Sequence, residues 1–104
     1  MRYSVEITEP AQQNIQEAYD WLSAESSRAA TAWIDGLLET IESLDAFPLR
    51  CPLAPESTDH PEEIRQILYD SYRILFSVQK PNVFVLHVRH SSRDRAGAED
   101  IGQS

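Results

Sequence analysis

The 104-residue chain predicts an α+β fold, with two helices lying on one side of a mostly antiparallel sheet. Three observations lead there. Tyr3, Val5 and Ile7 alternate with Ser4 and Glu6, the period of a strand with one buried face. Ala30, Trp33, Ile34, Leu37, Leu38, Ile41 and Leu44 then form an apolar stripe at helical spacing. Beyond residue 62, three β-rich runs follow one another across turns of two and three residues, which suits a meander.

Thr8-Glu9-Pro10 reads as a helix start: Thr8 can cap, Glu9 suits the positive end of the helix dipole, and Pro10 fits a first turn. Ala11, Ile15, Ala18, Tyr19 and Leu22 continue at helical spacing until the break SAESS, where Ser26 or Ser27 can cap the second helix. Phe47-Pro48 stops that helix. So short a linker predicts an antiparallel helix hairpin. Residues 48–63 contain four prolines and form a stiff loop. Strands are expected at 63–69, 72–79 and 83–90, joined by Asp70-Ser71 and Lys80-Pro81-Asn82. Strict alternation places Tyr72, Ile74, Phe76 and Val78 on one face, with Arg73, Leu75 and Ser77 opposite. On the last strand it groups Phe84, Leu86, Val88 and His90 against Val83, Val85, His87 and Arg89. One face covers the helices, and the other is expected as an open, half-polar surface.

The length fits a single domain spanning 1–104, with one core that needs no disulfide. Cys51 is the one cysteine, consistent with a reducing compartment and an incidental role. With no signal-like apolar segment at the N-terminus and no apolar run of ~20 residues, the expected location is the cytoplasm. His60, His87, His90 and Cys51 have no metal-site spacing, and neither a Gly-rich phosphate loop nor a Ser-His-Asp order occurs, so no cofactor is expected. Trp33 belongs to the core stripe, while Trp21 marks the exposed side of the first helix.

Charge is divided along the chain. Residues 1–63 carry three arginines against thirteen carboxylates, a net −10, whereas residues 64–95 carry six basic side chains against two acidic ones, a net +4. The total of −8 disfavours broad nucleic-acid affinity, because polyanion binding is driven by clustered cations. A local basic patch still acts at close range, since salt screens charges beyond about 10 Å. Arg65, Arg73, Arg89, His90 and Arg93 are the candidates for such a patch. The plain alternative for Arg73 is a surface arginine paired with Asp70 or Asp94; His87 reads as solvated, and His60, in the proline-rich loop, as a residue without a role.

PLRCPLAPE after the second helix, then IRQILYDSYRILFSV, then VFVLHVRHSSRD, in this order behind a strand and two helices, resemble the toxins of type II toxin–antitoxin modules in the RelE/ParE superfamily. The resemblance implies a cognate antitoxin partner, whose disordered part folds over the toxin in a hetero-oligomer. It also implies one of two targets. RelE-like members cleave ribosome-bound messenger RNA without metal, using cations to stabilise charge on phosphorus and side chains to move protons. For that chemistry Arg73, Arg93 and His90 match family positions, with Arg65 on the preceding strand. The chain departs from the nucleases where they carry a lysine pair, here EIRQILY, and where they carry a C-terminal tyrosine, here DRAGAEDIGQS. ParE-like members resemble inhibitors of DNA gyrase, a protein-binding mode. The long second helix and VRHSSRD resemble that branch more closely, and a protein target suits an acidic chain better than RNA does.

Overall fold

The computed structural model, which describes residues 2–91, opens with strand β1 (Ser4–Ile7) and the helices α1 (Glu9–Glu25) and α2 (Ser27–Glu42). Short 3-10 turns lead through the proline-rich loop to β2 (Arg65–Tyr69), β3 (Tyr72–Gln79) and β4 (Asn82–His90). The sheet order is β1-β4-β3-β2, with β1 parallel to β4 and the other pairs antiparallel. Strand, helix hairpin and meander thus appear in the expected order, with shifts of one or two residues at the starts of β2 and β4.

The hairpin turns on a single residue. Ser26 ends α1, and its Oγ accepts from Ala29 N at 3.1 Å to cap α2. Thr8 stands at the cap position of α1 but makes no cap bond with its side chain. Its Oγ1 instead donates to Val85 O at 2.7 Å, and its N–H donates to the same carbonyl at 3.0 Å. Thr8 therefore ties the helix start to β4, so the expected capping role goes to a tertiary bond.

Ala11, Ile15 and Ala18 of α1 join Trp33, Leu37 and Ile41 of α2 over Ile74, Phe76, Val83, Val85 and Val88 of the sheet. A large apolar side chain buried as Leu37 and Phe76 are contributes about 1.5–3 kcal/mol. Gly36 lets α2 approach the sheet closely: Tyr69 Oη passes over it and donates to Trp33 O at 2.9 Å.

Strict alternation fails on β4. Leu75 is opposite His87 whereas Phe76 is opposite Val85, so Leu86 is an extra residue, a β-bulge. Val83 and Val85 therefore lie on the helix side together with Val88, not with His87 and Arg89. The far face is not open along its length either. Ala54 and Ile64 of the proline-rich segment pack on Leu75 and Leu86 there, held by Ala54 N→Ile64 O at 2.7 Å and Gln66 N→Pro52 O at 3.0 Å.

Candidate functional site

The bulge and the register decide where each basic candidate stands. Arg73 and Arg89 are direct partners across the β3–β4 ladder and share the face away from the helices. Arg65 is opposite Phe76, and His90 is opposite Tyr72, so both belong to the helix side. Arg93 lies outside the described residues. Among the described residues, Arg73 and Arg89 pair on the far face, Arg65 and His90 belong to the helix side, and Arg89 and His90 border a common groove at the strand end.

The guanidinium groups of Arg73 and Arg65 are engaged within the fold. Glu56, from the 3-10 turn Pro55–Asp59, grips Arg73 with both oxygens: Nη2 donates to Oε2 at 2.6 Å and Nη1 to Oε1 at 3.2 Å. Gln66 Oε1 accepts a further bond from Arg73 Nη1 at 2.7 Å. The arginine side chain retains only 13% exposure, so this forked pair is shielded from water and stronger than a surface pair. This carboxylate comes from the proline-rich loop and not from Asp70; Asp94, the other acid the sequence offered, lies outside the described residues. Arg65 donates to Cys51 O at 2.6 Å and to Glu63 at 3.1 Å, pinning the loop to β2.

His90 packs its ring edge-on against Tyr72, with centroids 5.1 Å apart and planes at 83°. The two line a groove of about 410 Å³ between α1 and the ends of β3 and β4, together with Asn14, Glu17, Trp21 and Arg89. Trp21 is 59% exposed at this groove, as the sequence suggested.

Residues that sequence reasoning set aside are structurally busy. Beyond Ile7, β1 no longer covers β4, and the side chain of Asn14 takes over: its Oδ1 accepts from Val88 N at 3.0 Å and lies 3.3 Å from His87 Nδ1. His87 is half-buried, not solvated. Burial, then the charges of Arg89 and His60, hold its imidazole below the usual range, against a weaker opposing pull from Glu56. Burial also raises the Cys51 thiol, which Arg50 and Arg65 only partly offset, so the sulfur stays protonated and unreactive at neutral pH. Among the described residues no His, Cys, Asp or Glu group could hold a metal ion. Nor is any helix among them long and apolar enough to cross a membrane.

Residues 5–95 match the family model described as the ParE toxin of the type II toxin–antitoxin system, parDE. The chain belongs to the ParE toxin family. Its fold is similar to that in the chromosomal ParDE toxin–antitoxin system from P. aeruginosa, with a TM-score of 0.72 and 15% identity over 86% of this chain and 96% of that one. It is also similar to the RelBE2 toxin–antitoxin complex from Mycobacterium tuberculosis, with a TM-score of 0.56 and 21% identity over 86% of this chain and 99% of that one. No curated protein sequence matches it. These identities speak for the shared fold, and the family match makes the chain a type II toxin of the ParE kind.

Nothing in the composition of this ParE-family chain singled out Glu56, Asn14 or Tyr69. The one usable signal was the density of prolines around Glu56, since a stiff loop can hold a side chain against a distant strand.

Proposed function

We propose that this ParE-family toxin acts in the cytoplasm by binding a protein target, DNA gyrase, and is held inactive by a cognate antitoxin. The observation that carries the reading is the Glu56–Arg73 fork. A ribonuclease needs its arginine available to an incoming phosphate and its proton-transfer group beside it. In this chain Arg73 is bound to a carboxylate, and His90 stands on the other side of the sheet. A nuclease centre built from Arg73 and His90 is therefore poorly supported, and a surface that docks against protein fits the acidic total better.

The groove between α1 and the β3–β4 ends is the place we assign to partner contact, with Arg89 and His90 as contact residues and Trp21 as an aromatic anchor. Both similar structures come from toxin–antitoxin systems, which supports a partner of that kind for this fold. The test is a pair of assays on the purified full chain, gyrase supercoiling and cleavage of ribosome-bound message. Inhibited supercoiling with intact message is the expected result. Message cleavage lost in Arg73→Ala would replace this reading with the ribonuclease one.

A further inference from the structure

β2 is an outer strand of the sheet, and its free edge is covered over only part of its length. Gln66 N donates to Pro52 O at 3.0 Å and Leu53 bridges to Arg65, so Pro52 and Leu53 run as a short extra strand beside the start of β2. Upstream of Pro52 the chain turns off into the 3-10 turn Pro48–Arg50. The two lines of backbone part there and leave a cleft of about 320 Å³, lined by Arg50, Cys51, Pro52, Gln66, Ile67 and Leu68. Backbone groups alternate along a strand, so Leu68 N–H and C=O point to the same side as Gln66 N, past the end of this cover. Among the described residues no backbone bond meets Leu68 on that side. Free edges are ordinarily guarded by a charge, a proline or a bulge, yet here the place is held by Leu68, whose side chain is 63% exposed. The cleft is also basic. Arg50 is exposed and has no ion pair among the described residues. The charges of Arg50 and Arg65 both act on the Cys51 sulfur in the cleft wall.

We propose that this edge takes up an extended acidic peptide segment of a partner protein, which adds to the sheet as a strand beside Leu68. Its backbone pairs with Leu68 N–H and C=O, an apolar side chain enters the cleft over Pro52, Ile67 and Leu68, and a carboxylate meets Arg50. A nucleic acid fits less well, because it has no peptide groups to offer the strand edge and meets a single uncommitted arginine. A second copy of this chain fits less well too. Symmetric antiparallel pairing about Leu68 sets Asp70 of one copy opposite Gln66 of the other, whose N–H is already given to Pro52 O. Two chains of net charge −8 also repel each other. The cleft shares no residue with the groove assigned to partner contact, so the inference does not rest on the gyrase reading.

The experiment is an NMR titration of the full chain, following backbone amide signals, with three capped peptides: acetyl-Val-Glu-Val-Glu-Val-amide, its counterpart with glutamine for glutamate, and the acidic peptide N-methylated at alternate residues. Expected with the acidic peptide are saturable shifts centred on Gln66, Ile67 and Leu68 and slowed exchange of the Leu68 amide. The glutamine peptide should bind about threefold more weakly, the worth of one exposed charge pair. The N-methylated peptide should bind about tenfold more weakly, since it lacks the donors that a strand edge needs. Arg50→Gln, at an exposed position outside the core, should remove the preference for glutamate over glutamine while leaving the Leu68 shifts in place. No saturation with the acidic peptide, equal affinity for the N-methylated one, or a glutamate preference that survives Arg50→Gln overturns the proposal. So do Leu68 shifts that track the concentration of the chain without peptide, because they assign the edge to a second copy.

Discussion

Glu56 reaches Arg73 across seventeen positions of sequence and meets it with both carboxylate oxygens, at 2.6 and 3.2 Å. A partly buried fork of this kind costs more to break than to lack, because the surviving charge is left without its partner. Glu56→Gln is expected to destabilise the fold by about 1–3 kcal/mol, measured by urea unfolding. It should also raise the retention of the chain on a polyanion resin at low salt, since Arg73 loses its internal anion. Unchanged retention would mean that the guanidinium stays covered by Gln66 and the loop alone.

Gly36 and Tyr69 form a size-matched pair. A methyl group on Gly36 would overlap Tyr69 Oη and approach its Cζ to 3.0 Å. Gly36→Ala should therefore cost about 1–3 kcal/mol despite the better helix propensity of alanine. Tyr69→Phe alone loses one hydrogen bond to Trp33 O, about 1 kcal/mol. In the double variant the overlap is gone, so the combined loss should fall short of the sum, a coupling that a double-mutant cycle reads directly.

His87 predicts a dependence of stability on acidity. Its imidazole is held below the ordinary value of about 6.5, so on acidification the unfolded chain takes up a proton before the folded one does. The contribution of His87 is complete above pH about 7 and falls as pH drops from about 6.5 toward the folded value. His87→Gln should flatten that part of the stability profile while leaving the acid limb from carboxylates. An unaltered slope in the variant would assign the effect to other groups.

Asn14 serves the edge of β4 where β1 no longer reaches. Asn14→Ala leaves Val88 N–H without its acceptor, for an expected loss of about 1–3 kcal/mol and faster amide exchange at Val88. Asn14→Asp keeps an acceptor for that N–H and places a negative charge 3.3 Å from where His87 Nδ1 sits. The imidazole pKa should then rise, seen as a shifted ring titration.

What the sequence made legible follows from local physics. The α2 stripe and the short turns of the meander carry their own periods: Ala30, Trp33, Leu37 and Ile41 are buried where that period places them, while Leu38, at the stripe's edge, is exposed. Ser26 is where a cap residue was expected. The bulge at Leu86 was not legible, because alternation assumes one residue opposite one residue, and a single extra one exchanges the faces. That exchange is why Val83 and Val85 were grouped with His87. The candidate site was legible in composition but not in arrangement. Arg73 and Arg89 do pair across the ladder, yet the partner of Arg73 comes from a loop whose path no local pattern gives. Arg93 falls outside the described residues.

The parallel contact between β1 and β4 has a further consequence. Val5 lines up with Val83 and Ile7 with Val85, so the first strand of the sheet can settle only against the last. During synthesis the opening segment must wait for β4 before it can pair, and contacts of such sequence separation slow folding. The β1 edge of the sheet therefore cannot form on a nascent chain that has not yet delivered residues 82–85.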